Sequence, residues 1–189
     1  LKKIRQNYFE NIKQISNNNS SEIVIDKLPL NIIEIGFIKR IFPKSKFILM
    51  MRHPCDSVLS CFVTNFGINE AMVHFLLVDD AAKLYARVFN LWKQFTKVLD
   101  VQFHIIKYEK MITHFDKSIN DLLNFLEIKW EDNLRNFNKT AIDRKRINTP
   151  SYNQVIKPLN TSSIGRWKNY SEMKNIENKL NEWIKYFKY

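Results

Sequence analysis

The chain has 189 residues, 45% of them apolar and 26% charged, with 3 glycines and 5 prolines. That is enough apolar material for the core of one domain, and the scarcity of glycine and proline excludes a solenoid or a linker-joined array. A formal net charge of +11 admits nucleic acid, an anionic membrane surface or a small polyanionic ligand. The lysines are spread along the chain, so a solvated basic surface accounts for much of that charge.

In chain order, Asn17, Asn18, Asn19, Ser20 and Ser21 form the first loop-like cluster. Residues 1–22 are expected to be the end of a preceding helix and its loop. Three short apolar runs then read as strands, at 23–25, 47–51 and 101–106. Between them lie helical periods, the alternation that builds a parallel sheet covered by helices. The clearest helix covers about 79–99, with Leu84, Val88, Leu91, Trp92, Phe95 and Leu99 on one face. A second runs over about 113–126, with Thr113 and Asp116 placed as a possible cap and Ile119, Leu122, Leu123 and Leu126 turned inward. A last one covers about 171–187 through Ile176, Leu180, Trp183, Ile184 and Phe187. The stretch 136–170 contains Pro150 and Pro158 and shows neither period, as binding loops often do.

No run approaches the ~20 apolar residues of a membrane span, and the first residues are too polar for a signal peptide. Cys55 and Cys61 lie six positions apart with no metal-type spacing around them, which points to a reducing compartment. His53, His74, His104 and His114 share no metal-ligand pattern either, so no metal is expected.

The local chemistry begins where the second strand ends. The strand delivers Arg52 at its carboxyl end, where open α/β sheets bind ligands, and the following helix carries Ser60 about two turns in. Arginine offers a forked, permanently charged donor, serine a hydroxyl, and the helix start a dipole that favours an anion. A surface arginine followed by an ordinary helical serine would read the same way. Farther on, Lys157 and Arg166 bring charge to a loop that Pro158 pre-sets for a turn. Tyr108, which ends the third strand, offers an aromatic face for a base or is simply half-buried.

These residues carry a resemblance. The segment RHPCDSVLS, with its approach FPKSKFILMMRHP, resembles the 3′-phosphate motif of sulfotransferases that use 3′-phosphoadenosine 5′-phosphosulfate (PAPS), in which an arginine precedes a serine by eight positions; Arg52 and Ser60 match. Some relatives carry a further arginine where this chain has Thr64. SYNQVIKPLN, with Arg166 six residues on, is similar to the nucleotide loop of tyrosylprotein sulfotransferases and of bacterial sulfotransferases linked to tetratricopeptide repeats. The resemblance implies that Ser151, Gln154, Val155 and Lys157 wrap the adenosine and 3′-phosphate, with Arg166 in the place of a lysine. KYEKM is similar to the family's Tyr-Glu-Asp-Leu element, which sets Tyr108 near the adenine and leaves Glu109 structural. IDKLPLN resembles the bacterial DKxPxN strand end, and Lys27 is assigned there to stabilising charge as sulfate moves, because lysine at neutral pH is a charged donor.

The fold implied is α/β, a P-loop-like three-layer arrangement with a parallel sheet flanked by helices. Residues 23–189 would form the C-terminal two-thirds of a sulfotransferase domain, without its first strand and without the loop that grips the donor's 5′-phosphosulfate. No catalytic base can be nominated, so the chain by itself is expected to bind nucleotide weakly and not to turn over. PAPS is the implied co-substrate, and protein tyrosine, carbohydrate and small alcohol are the open acceptors. Bacterial relatives imply the cytoplasm; an upstream anchor would imply the Golgi lumen. One rival is a nucleoside phosphotransferase or other P-loop-type protein, against which the absent Gly-x-x-x-x-Gly-Lys-Ser/Thr signature speaks. The other is a non-catalytic nucleic-acid-binding module, against which speaks the placing of the aromatics on inward helix faces.

Overall fold

The computed structural model describes residues 1–15, 23–137, 139 and 159–189. The chain divides into two compact units, residues 1–47 with 88–103, and residues 48–87 with 104–189.

In the first unit, helix α1 (Lys2–Ile15) packs on helix α2 (Ile35–Ile41), which follows a 3₁₀ turn at Pro29–Ile33. The Arg5 guanidinium donates to the Ile41 carbonyl, one of the acceptors a helix leaves unpaired at its end (2.8 Å from Nε). Tyr8, Phe9 and Phe42 pack as an aromatic trio with centroids 5.0–5.7 Å apart. Tyr8 Oη donates to Asp26 Oδ2 at 2.9 Å, and burial followed by this carboxylate pushes the phenol up to about 12. The later part of helix α4 (Val78–Val98) adds the buried Phe89 and Trp92, and Trp92 packs edge-on against Phe103 at 4.9 Å.

Gly36 in α2 lies under the ring of Phe95, and a Cβ there would fall 2.9 Å from Phe95 Cε1. Glycine inside a helix ordinarily costs ~0.5–1 kcal/mol relative to alanine, but forcing a methyl into a filled space costs ~1–3 kcal/mol. Gly36→Ala is therefore expected to lower the thermal midpoint. A rise would mean that the ring moves aside freely.

Apart from their first residues, the second unit is built on strand β1 (Phe47–Met51) and strand β2 (Phe103–Lys107), neighbours in a parallel sheet flanked by helices. Helix α3 (Pro54–Val63) leaves β1 after two residues and buries Cys55, Val58 and Leu59. The last helix, α7 (Met173–Tyr186), packs on it through Met173, Ile176, Leu180 and Trp183, one stripe at helical spacing. Between α5 and α6 the chain makes a sharp step: α5 covers Tyr108–Thr113 and α6 covers Phe115–Leu126. Ile48, Met50 and Ile105 are at least 37% exposed, although parallel strands usually have both faces covered.

Three expectations are corrected. Residues 23–25 form no strand: among the described residues nothing pairs with them, and Ile23, Val24 and Ile25 are exposed. An apolar triplet without a ladder partner cannot satisfy its backbone as a strand. Tyr108 does not end β2 but opens α5, because the strand stops at Lys107. Thr113 and Asp116 do not cap α6. Its cap position is His114, which makes no side-chain cap bond, while Thr113 Oγ1 turns back to the Glu109 carbonyl at 3.0 Å and Asp116 forms a forked pair with Arg135 (2.8 and 3.1 Å).

Candidate anion site at the head of helix α3

The site grows from the corner where β1 becomes α3. His53 is the cap residue: its Nδ1 accepts from the Cys55 amide at 3.2 Å, and Pro54 opens the helix, a position where a missing N–H costs nothing. Arg52, one residue earlier, is only 22% exposed in its side chain. Its Nη2 donates to the Ser163 carbonyl and lies 3.8 Å from Asp56 Oδ1. Its guanidinium sits over the Tyr108 ring, 5.4 Å from the centroid. Its Nε is buried without a partner among the described residues. A buried donor left unmatched costs about 1–3 kcal/mol, and an acceptor anion arriving there would recover it.

The turn that receives Arg52 also carries Arg166. Asp56, 1% exposed, accepts from the Gly165 amide at 2.7 Å and from the Trp167 amide at 3.0 Å. The 3₁₀ turn Arg166–Asn169 packs against both α3 and α7. Arg166 itself is exposed and reaches Tyr170 Oη at 3.5 Å. Trp167 is buried and stacks on His53 at 5.2 Å. Glu109 accepts from the His53 amide at 2.8 Å and from Tyr189 Oη at 3.1 Å.

Arg52, Tyr108 and the turn bearing Arg166 are thus brought together. Ser60 is half-buried on α3, one helical turn beyond Asp56 on the same face. Lys27 belongs to the first unit and is exposed in the irregular segment before the Pro29–Ile33 turn. Ser151, Gln154, Val155 and Lys157 lie outside the described residues. Sequence reasoning missed Asp56; its signal was an acid four positions after Arg52, in the first turn of the same helix. Cys55 and Cys61 are unpaired, and burial pushes the Cys55 thiol up to about 12. Among the described residues no group of three or more His, Cys, Asp or Glu is placed to hold a metal, and no helix is long and apolar enough to cross a membrane.

Burial holds the His53 imidazole below its ordinary 6.5, against the opposing pull of Asp56, Glu109 and Glu177. The unfolded chain therefore takes a proton at this position before the folded one does, and stability is lost as pH falls through about 6.5. The thermal midpoint should drop between about pH 7.5 and about pH 5.5, and by less in His53→Asn, which keeps a capping acceptor but does not titrate. Equal drops would remove His53 as the cause.

A family model described as "Sulfotransferase family" matches residues 1–132, taking in α1 as well as the β1–α3 corner. An "Uncharacterized protein" of Aquifex aeolicus is 25% identical over 176 residues, covering 91% of this chain and 22% of its own length. "Protein-tyrosine sulfotransferase 1" of Danio rerio is 26% identical over 150 residues, covering 75% of this chain and 41% of the relative. "Protein-tyrosine sulfotransferase 2" of Gallus gallus is 24% identical over 152 residues, with 75% and 39% covered. The chain thus spans well under half the length of these curated relatives. A solved "Sulfotransferase Domain from the Curacin Biosynthetic Pathway" has the same fold, with a TM-score of 0.62 at 19% identity, over 94% of this chain and 68% of that one.

Proposed function

The chain belongs to the sulfotransferase family, whose model matches residues 1–132, and from that premise we propose that it carries the 3′-phosphate and adenosine site of an enzyme that moves a sulfuryl group from PAPS to a hydroxyl or amine acceptor. The observation that carries this reading is the Arg52 guanidinium at the carboxyl end of β1, with its buried Nε unmatched and Tyr108 beneath it. Arg52 and Ser60 bind the 3′-phosphate, Tyr108 lies along the adenine, and Arg166 with Ser151, Gln154, Val155 and Lys157 encloses the nucleotide. Lys27 supplies positive charge where sulfate moves.

In the transfer, an acceptor oxygen or nitrogen attacks sulfur in line and loses its proton to a base. The bond from sulfur to the bridging oxygen breaks, and adenosine 3′,5′-bisphosphate leaves with the electron pair. Cations near that oxygen lower the barrier because they meet charge that grows only in the transition state. The family names of the Danio and Gallus relatives make a tyrosine peptide the first acceptor to try; carbohydrates and small alcohols come next. The two unpaired cysteines support work in a reducing compartment such as the cytoplasm.

Calorimetric titration with adenosine 3′,5′-bisphosphate and with 5′-AMP tests the reading. A clear preference for the bisphosphate is expected. Equal or absent binding by folded protein would sink it, and a preference for 5′-nucleotides would favour the phosphotransferase reading.

A further inference from the structure

Among the described residues, Asp56 is the buried charged side chain, 1% exposed. Taking a carboxylate out of water costs several kcal/mol or more unless its oxygens are paired, so its partners matter. They all lie at the anion site. Oδ2 accepts from the Gly165 amide at 2.7 Å, Oδ1 accepts from the Trp167 amide at 3.0 Å, and Arg52 Nη2 lies 3.8 Å from Oδ1. The same Arg52 nitrogen donates to the Ser163 carbonyl. A pair spaced i, i+4 on one helix head therefore holds three points of a single turn more than 100 positions downstream: the carbonyl of residue 163 and the amides of 165 and 167.

That arrangement depends on the chemistry of each member. Gly165 sits at φ 68°, a left-handed conformation that costs other residues roughly 1 kcal/mol or more. A carboxylate presents acceptors to both amides. An asparagine in its place would turn an NH₂ toward one of them and leave that amide unpaired. An acid in the first turn of a helix is commonly explained by the helix dipole, but here both oxygens are spent on the distant turn.

We propose that Asp56 is a positioning residue of the nucleotide site: it fixes the 163–167 turn on the head of α3, setting the guanidinium of Arg52 and the chain position of Arg166 for a 3′-phosphate. The inference rests on the reading of the site given above. Without Asp56, the Ser163 carbonyl no longer has its fixed place, Arg52 loses the contact that orients its fork, and the turn that carries Arg166 is released from α3.

The test compares the chain with Asp56→Asn, each titrated by calorimetry with adenosine 3′,5′-bisphosphate and with 5′-AMP well below its own thermal midpoint. Asp56→Asn is expected to weaken the bisphosphate roughly tenfold or more and 5′-AMP hardly at all, so that selectivity for the 3′-phosphate collapses. A lower midpoint with unchanged selectivity would make Asp56 merely structural and overturn the proposal. If the parent chain shows no selectivity, the site reading fails and this inference falls with it; if the parent selects and the variant selects equally, only this inference falls. Should Asp56→Asn not fold, Gly165→Ala disturbs the same lock from the other side, and retained selectivity there would also overturn it.

Discussion

Replacing Arg52 by alanine should abolish most of the preference for adenosine 3′,5′-bisphosphate over 5′-AMP. A hydrogen bond to a charged group contributes about 1.5–3 kcal/mol, and the buried, unmatched Nε of Arg52 makes one such bond available without further desolvation of the arginine. The expected loss is roughly 10- to 100-fold for the bisphosphate. Some of the effect would come through the protein, because Arg52 also holds the Ser163 carbonyl and covers Tyr108. 5′-AMP separates the two: damage that spreads beyond the 3′-phosphate contacts weakens both nucleotides, whereas loss of those contacts weakens one. Arg52→Lys should stay close to alanine, since a point-like ammonium cannot reproduce a planar fork that serves a carbonyl and an anion at once. Titrations of the variant that keep the parent's ratio would place the 3′-phosphate elsewhere.

The parts legible in the sequence were those set by local period. Helices α4 and α7 and strand β1 follow from apolar spacing, and their inward residues Trp92, Leu180 and Trp183 are buried. The end of β1 marked Arg52 because strand ends in such sheets are where ligands bind. What period could not reveal was pairing. Residues 23–25 have the composition of a strand, but a strand exists only through its neighbour. Thr113 has the side chain of a cap, yet its hydroxyl satisfies the end of α5 instead. Asp56 stayed hidden for the same reason: its partners, Gly165 and Trp167, stand 109 and 111 positions away. Each of these signals failed because its meaning depends on which backbone group the residue finds, near in the case of Thr113 and distant in the case of Asp56.

Trp183→Ala should be among the most destabilising single changes in the chain. The indole is 2% exposed, packs edge-on against Tyr186 at 5.8 Å and stacks on Phe187 at 6.2 Å. Truncating a buried tryptophan removes its transfer energy and leaves a cavity that neighbours only partly fill, a cost of about 3–5 kcal/mol. For a chain of this size each kcal/mol lowers the thermal midpoint by about 2–4 °C, so a fall on the order of 10 °C is expected in a melt followed by circular dichroism. The consequence reaches the anion site, because α7 supports both α3 and the Arg166–Asn169 turn. Two outcomes can then be told apart at low temperature. If α7 serves only as ballast, the folded fraction of Trp183→Ala will bind adenosine 3′,5′-bisphosphate as the parent does; if α7 holds α3 and the turn in register, affinity will fall even where circular dichroism shows the variant folded. The second is expected, since the Asp56 lock spans the two elements that α7 braces. A midpoint within about 2 °C of the parent would mean that the indole's surroundings collapse around the loss.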